Sequence, residues 1–227
     1  SGFCGAIVLQ RAMRRQLQEE FCKVWETAVA RSWSRGVIAA HPPPLELRPQ
    51  VGGEGWIAAA DGEEHTRQCL REYADSSIEA VENGGHPTVP ADWRGNGVVI
   101  APQKGLLHLA TEWTGTFPLY YWKDSEGFAF STHLRPLARA VQADPDQLGA
   151  LEFLRNGYVL NGRTPFRGIS RVLPGQSVTY EASEGRLSIT EHSRLWAGVS
   201  DVGASETAEI TRTLWSRLRE ATDLSLP

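Results

Sequence analysis

The chain has 227 residues, of which 41% are apolar, and it carries a formal net charge of -4 at pH 7. This length suits one large domain or two small ones, and the apolar fraction is enough for a sizeable core. There is no Lys/Arg-rich block of the kind that binds nucleic acid, and no apolar run approaches the roughly 20 residues that would span a membrane.

Three cysteines, Cys4, Cys22 and Cys69, are widely spaced along the chain. An odd number at this spacing favours neither a disulfide framework nor a zinc site. The N-terminal residues also lack the pattern of a secretory signal. We therefore expect a reducing, cytoplasmic compartment and no metal site.

The first half of the chain predicts β structure around one long helix. Residues 4–9 form a short apolar run rich in β-branched residues, which predicts a strand. Apolar side chains at steps of three and four predict a helix over residues 11–31. Residues 35–60 predict β structure interrupted by HPPP and VGGEG, and residues 63–73 predict a helix.

The second half predicts strands followed by two short helices. The strands are expected at 98–101, 106–113, 118–122 and 127–131. Thr132 is the predicted cap of one helix. Asp144 and Pro145 are the predicted start of another, with Leu148, Leu151 and Leu154 on one face and Gly157 at its end. Residues 171–195 predict two more strands.

The last segment of the chain predicts a polar linker followed by a helix. SDVGAS is a polar linker, and Ser205 then begins a helix whose apolar stripe is Ile210, Leu214 and Leu218. We expect this stripe to be covered by another domain or by another copy of the chain. Without such a cover, the segment after residue 205 is expected to be disordered or to self-associate.

Three segments between residues 112 and 175 resemble the asparagine-synthase family in the same order as in that family. TEWTGTFPLYYW resembles its motif of an Arg-Asp pair followed by Gly and Pro-Leu-Tyr-Tyr, with matches at Gly115 and at 118–121. GFAFSTHLRPLAR resembles its Phe-Ala-Ser-Glu strand and the helix after it. EFLRNGYVLNGRTPFRGISRVLPGQS resembles its closing segment. CGAIVL resembles the opening Cys-Gly-Ile, while residues 11–60 match poorly.

The resemblance implies an α+β fold, a four-layer αββα sandwich of the N-terminal-nucleophile hydrolase type. It implies a glutamine-amidotransferase-like domain over residues 1–200. Residues 201–227 are then a linker and helix leading into a C-terminal ATP-dependent synthetase domain that this sequence does not contain. In the family, the first domain releases ammonia from glutamine, and the second uses ATP and Mg²⁺ to form an amide. No cofactor is expected within residues 1–227 themselves.

The resemblance makes Cys4 the candidate nucleophile. In the family, the free α-amino group of this cysteine activates its own thiol. Here Ser1, Gly2 and Phe3 precede Cys4, and an amide nitrogen cannot act as a base. Four interpretations follow. The three residues are removed by processing, the site has no glutaminase activity, or Cys4 is only a small buried strand residue. In the fourth, Ser1 itself is the nucleophile.

The substrate-binding candidates are altered relative to the family. Asp61, Gly62 and Glu63 stand where the family has Asn-Gly-Glu, whose Asn donates to the oxyanion. A carboxylate there would repel the developing charge. Glu112 stands where the family has the Asp that holds the substrate ammonium group. No convincing equivalent of the carboxylate-binding Arg is found.

These departures favour a degenerate glutaminase site in a scaffold domain, as in the β-lactam synthetases and lasso-peptide cyclases of the family. Two alternatives stay open. One is an active amidotransferase that binds glutamine after processing to expose Cys4. The other is a non-catalytic module that binds a synthetase chain in trans. A homo-oligomer is possible in each case, and no nucleic-acid or membrane partner is expected.

Overall fold

A computed structural model of the chain describes residues 2–7, 11–24, 29–33, 36–41, 45–50, 53–61, 72–73, 75–77, 79–80, 89, 95–193 and 204–225. The strands are β1 Gly2–Ile7, β2 Val29–Trp33, β3 Gly36–His41, β4 Leu45–Gln50, β5 Gly53–Asp61, β6 Asn96–Ala101, β7 Leu106–Thr111, β8 Tyr120–Lys123, β9 Phe128–Ser131, β10 Ile169–Arg171, β11 Gln176–Glu181 and β12 Arg186–Glu191. The continuous helices are α1 Arg11–Val24, α2 Leu134–Ala140, α3 Gln147–Asn156 and α4 Ala204–Ser225.

These strands form two six-stranded sheets in which neighbours run antiparallel. The first sheet has the order β10-β8-β9-β1-β3-β2, and the second has the order β12-β11-β7-β6-β5-β4. β1 therefore lies inside the first sheet, between β9 and β3. β6 and β7 lie inside the second sheet.

The main core lies between the two sheets. Side chains from β1, β3 and β9 meet side chains from β6, β7 and β11 in one buried cluster. Its members include Phe3, Ile7, Ile38, Phe128, Phe130, Val98, Ile100, Leu107, Leu109, Val178 and Tyr180. Because side chains alternate along a strand, the intervening residues of β1 point to the other face of the first sheet.

Helices cover the outer faces of both sheets. α1 and α2 lie on the first sheet, where Leu17, Phe21 and Leu137 form a second buried cluster. Helical residues within 72–80 cover the second sheet, since the buried Tyr73 ring lies 5.9 Å from the ring of His108 on β7. The order of layers is helix, sheet, sheet, helix, which confirms the predicted four-layer αββα sandwich.

The chain divides into two compact units, residues 1–195 and residues 196–227. The sandwich belongs to the first unit. The second contains α4, whose described side chains at 209–219 are all exposed. No helix in the described part of the chain is long and apolar enough to cross a membrane.

Most predicted elements are confirmed, but the helix predicted over residues 11–31 is too long. α1 ends at Val24, and residues 29–33 form β2, which pairs with β3 from Val29 to Trp33. The β-branched Val29 and the aromatic Trp33 favour a strand, and pairing with β3 satisfies backbone groups along one side of this segment. Residues 53–55, predicted as a turn, belong to β5. Most of the helix predicted over 63–73 lies outside the described residues.

Both predicted helix caps are displaced. The N-cap of α2 is His133, because the Thr132 hydroxyl instead bonds the backbone of Phe3. The N-cap of α3 is Asp146, whose carboxylate accepts from the N–H groups of Leu148 and Gly149 at 2.9 and 3.0 Å. The predicted end of α3 is confirmed, since Gly157 has a left-handed φ of 78°.

Candidate functional site

Cys4, Asp61 and Glu112 belong to the end of the sandwich at which β1 begins and β5 and β7 end. β1 and β5 contact one another across the two sheets. At this end the Asn96 side-chain amide donates to the Pro118 carbonyl oxygen at 3.3 Å. That bond joins the first residue of β6 in the second sheet to the segment before β8 in the first.

Cys4 lies near the start of β1, with its thiol on the outer face of the first sheet. It belongs to the cluster that contains Leu17 and Phe21 of α1 and Leu137 of α2, and it is 1% exposed. Burial raises the pKa of the Cys4 thiol well above its ordinary value, and the nearby Cys22 raises it further. The thiol is therefore protonated and covered by helices near neutral pH.

Phe3 occupies the opposite face of β1, inside the core between the sheets. Its ring is fully buried and meets the ring of Phe130 edge-on, with centroids 6.1 Å apart. Its N–H donates to the Thr132 hydroxyl at 3.0 Å, and its carbonyl oxygen accepts from the Thr132 N–H at 2.9 Å. The residue directly before Cys4 is thus an integral part of the core.

Glu112 follows the last residue of β7 and is 5% exposed. One carboxylate oxygen accepts from the backbone N–H of Gly95 at 3.0 Å, while the other is buried without a hydrogen-bond partner among the described residues. The Glu112 backbone is held as well, because its carbonyl oxygen accepts from the N–H groups of Gly115 and Gly175 at 3.2 and 2.9 Å. A buried acceptor of this kind is suited to a ligand that carries an N–H donor.

Asp61 is the last residue of β5, and its backbone pairs with that of Asn96. Asn96 in turn pairs with Thr111, the residue before Glu112. The backbone of Asp61 and the Glu112 carboxylate are therefore brought to the same edge of the second sheet. Gly62 and Glu63 lie outside the described residues, so their predicted roles stay predictions.

The structure does not bring the Cys4 thiol to this edge. Glu112 belongs to the end of the second sheet, whereas the Cys4 side chain packs on the face of the first sheet that is turned away from the second. The first sheet therefore lies between the thiol and the carboxylate. The catalytic role predicted for Cys4 stays a hypothesis that depends on a different N-terminus.

Two residues at the site edge were not predicted from the sequence. Asn96 is fully buried, and its side-chain oxygen has no hydrogen-bond partner among the described residues. The Nε2 atom of His192, just beyond β12, is also buried without a hydrogen-bond partner among the described residues. The pKa of His192 is lowered, because burial outweighs the backbone hydrogen bonds with Thr111 and Gln176 that raise it. The Asn-Gly pair at 96–97 is the only sequence signal for either residue.

The described residues contain no group of His, Cys, Asp and Glu side chains that could hold a metal ion. The polar atoms without a hydrogen-bond partner among the described residues of the site edge are mainly acceptors, namely one oxygen each of Glu112 and Asn96. Burial lowers the pKa of His192, so its neutral form is favoured. Such an edge can accept hydrogen bonds from a group that carries N–H donors.

No protein-family model matches the sequence. No curated protein matches it either. Among solved structures, the chain is similar to glutamine phosphoribosylpyrophosphate (PRPP) amidotransferase from B. subtilis complexed with ADP and GMP, with a TM-score of 0.54 and 11% identity over 85% of this chain and 49% of that one. A structure of the allosteric regulatory enzyme of purine biosynthesis has a TM-score of 0.49 and 12% identity, with the same coverage.

The chain therefore spans about half the length of these two structures. At 11% identity the similarity to the B. subtilis enzyme shows the fold and nothing finer. This similarity is consistent with the order of layers and with the two antiparallel sheets. The chain has the four-layer αββα fold of the N-terminal-nucleophile hydrolase type.

Proposed function

We propose that residues 1–200 form a glutamine-amidotransferase-like domain that has lost its glutaminase activity and acts as a scaffold in an asparagine-synthase-type, ATP-dependent amide-forming enzyme. The synthetase domain, in cis or in trans, would bind ATP and Mg²⁺ and form the amide. The support for this branch is the ordered resemblance between residues 112 and 175, since the fold itself is shared more widely.

One observation carries the proposed loss of glutaminase activity, namely the position of Phe3. Exposing the α-amino group of Cys4 would require removing a ring that is fully buried between the sheets. Deleting a buried Phe side chain costs about 3–5 kcal/mol. The two hydrogen bonds that the Phe3 backbone makes with the hydroxyl and the N–H of Thr132 would be lost as well.

The orientation of Cys4 supports the same conclusion. A nucleophilic thiol needs a lowered pKa and access to its substrate. Cys4 has a raised pKa and is covered by α1 and α2. Asp61 adds a second obstacle, because a carboxylate in place of an amide cannot donate to an oxyanion.

The test is glutamate release from glutamine by four variants: the full chain, the chain shortened to begin at Cys4, and each of these with Cys4→Ala. We expect no turnover above the Cys4→Ala background in either pair. Circular dichroism and thermal unfolding show whether the shortened chain is folded. N-terminal sequencing of the protein from its natural source gives a second readout that does not depend on that variant.

Steady glutamate release from the shortened chain that disappears in its Cys4→Ala partner would overturn the proposal. So would a natural N-terminus at Cys4 in a protein that releases glutamate. Either result would favour the active amidotransferase. The buried Glu112 carboxylate is the observation that speaks for this second candidate, because one of its oxygens remains available to an ammonium group.

A further inference from the structure

Helix α3 is held to the rest of the sandwich by a narrow contact. Of its ten residues, Gln147–Asn156, only Gly149 is buried. Gly149 lies so close to the backbone of Thr164 that an added Cβ would come within 2.3 Å of the Thr164 carbonyl oxygen. An isolated helix this short is marginally stable in water, so its other faces would gain from a packing partner.

The side of α3 away from this contact is apolar and exposed. Leu148, Leu151 and Leu154 are 49%, 60% and 82% exposed, and Tyr158, just after the helix, is 61% exposed. We call these four residues the α3 face. The other large exposed apolar side chains in the described part of the first unit are Val24, Phe153, Leu160 and Ile189; Phe153 and Leu160 are close to the α3 face in sequence, whereas Val24 and Ile189 belong to other elements. Leucines clustered on one helix side in this way mark an interaction surface.

We propose that the α3 face pairs with the α3 face of a second copy of the chain, antiparallel and across a two-fold axis at Leu151. The spacing of the leucines supports this arrangement, since Leu148 and Leu154 are equidistant from Leu151 along the helix. A two-fold axis at Leu151 then sets Leu148 of one copy against Leu154 of the other, and Leu151 against Leu151. Such self-complementarity is what an isologous interface requires.

The charges along α3 are complementary in the same arrangement. Asp144 and Asp146 lie at the N-terminal end, and Arg155 lies in the last turn and is exposed. Arg155 has no ion pair among the described residues, whereas Arg163 pairs with Glu152 at 3.8 Å. Antiparallel pairing brings the acidic end of each helix to the basic end of the other and opposes the two helix dipoles. A parallel pair would set like charges together.

Disulfide cross-linking tests the two-fold axis directly. Leu151→Cys in the full chain carrying Cys22→Ser and Cys69→Ser should form a covalent dimer under mild oxidation, because residue 151 faces itself. Phe153→Cys in the same background is the matched control, since Phe153 is 53% exposed but lies outside the α3 face. We expect a dimer from the first variant and little from the second. Equal cross-linking of both would overturn the arrangement.

Sedimentation velocity of the full chain tests the association itself. We expect a concentration-dependent dimer in the micromolar range, because a single helix pair is a small interface. Leu151→Asp should raise the dimer Kd on the order of tenfold or more. Leu214→Asp on α4 should leave the dimer Kd unchanged. Leu151 is exposed in the monomer, so its replacement should not affect folding.

A charge reversal tests the orientation. Arg155→Asp should weaken the dimer, and Arg155→Asp combined with Asp144→Arg should restore it, since the reversed charges meet again across an antiparallel pair. A strictly monomeric chain at 100 µM, roughly tenfold or more above the expected range, would overturn the proposal. Such a monomer would leave the α3 face to another domain. A dimer broken by Leu214→Asp but not by Leu151→Asp would overturn it as well.

Discussion

The Glu112 carboxylate accepts a hydrogen bond from the backbone N–H of Gly95 at 3.0 Å, and this bond ties the end of β7 to the residue before β6. The second carboxylate oxygen is buried without a partner among the described residues. The two oxygens thus differ: one bonds the backbone at the site edge, and the other has no bond to a described residue. Two substitutions separate these roles.

Glu112→Gln should leave the free energy of unfolding nearly unchanged, whereas Glu112→Ala should lower it by about 1–3 kcal/mol. The glutamine keeps an oxygen that can accept from Gly95 and removes a buried negative charge. The alanine removes the acceptor altogether. Urea unfolding at pH 7.5 measures both. Equal destabilisation by the two substitutions would show that the charge, rather than the hydrogen bond, stabilises this edge.

The Cys4 thiol should resist alkylation in the native chain. At pH 8 we expect Cys22, which is partly exposed, to react with iodoacetamide well before Cys4, which is 1% exposed with a raised pKa. Peptide mass spectrometry at successive times resolves the two sites. In urea above the unfolding midpoint both should react at similar rates. Native labelling of Cys4 as fast as that of Cys22 would reveal an accessible thiol.

The orientation of Cys4 shows where prediction from sequence stops. The predicted strand at residues 4–9 exists, displaced to Gly2–Ile7, but all six of its residues are buried. A strand buried on both faces has no alternation of polar and apolar residues, so the sequence does not reveal which face receives Phe3 and which receives Cys4. Only the pairing with β3 and β9 fixes this, and it depends on residues more than 30 positions away.

The strands of the second half were predictable because each is apolar and bounded by turn residues. β6 to β9 follow that pattern and formed as predicted, with shifted ends. Asn96 and His192 reach the site edge only through the sheet, where β6 pairs with β7 and the His192 N–H donates to the Gly175 carbonyl oxygen at 2.9 Å. Both contacts cross a hairpin, and the sequence pattern predicts the strands of a hairpin but not which of their end residues is buried at the site edge.

His192 should make folding stability fall in mild acid. Burial lowers the pKa of His192 from its ordinary value of 6.5, so the unfolded chain takes up a proton at a higher pH than the folded chain does. The associated stability is present above about pH 6.5 and is lost as the pH falls toward the lower folded pKa. His192→Gln should therefore flatten the decline in the free energy of unfolding between pH 7 and pH 5.

The measurement is urea unfolding of both chains at pH 7.0, 6.0 and 5.0. Ile189→Gln, an exposed change on the neighbouring strand β12, serves as the control and should keep the wild-type slope. If the free energy of unfolding of His192→Gln falls with pH as steeply as that of the wild type, the prediction is wrong. The histidine would then be accessible to protons in the folded state, and its Nε2 atom would not stay buried.

Gly149→Ala should destabilise the chain, although alanine favours helices over glycine by about 1 kcal/mol. An added Cβ would lie 2.3 Å from the Thr164 carbonyl oxygen and 3.0 Å from its carbon, and this backbone cannot move as a flexible side chain could. The clash should outweigh the gain in helix propensity and loosen α3, so thermal unfolding should occur at a lower temperature. Amide hydrogen exchange at residues 150–156 should become faster.

Gln147→Ala, an exposed change in the first turn of the same helix, should leave both measurements near the wild-type values. A Gly149→Ala chain that is more stable than the wild type would mean that α3 does not rest on Thr164.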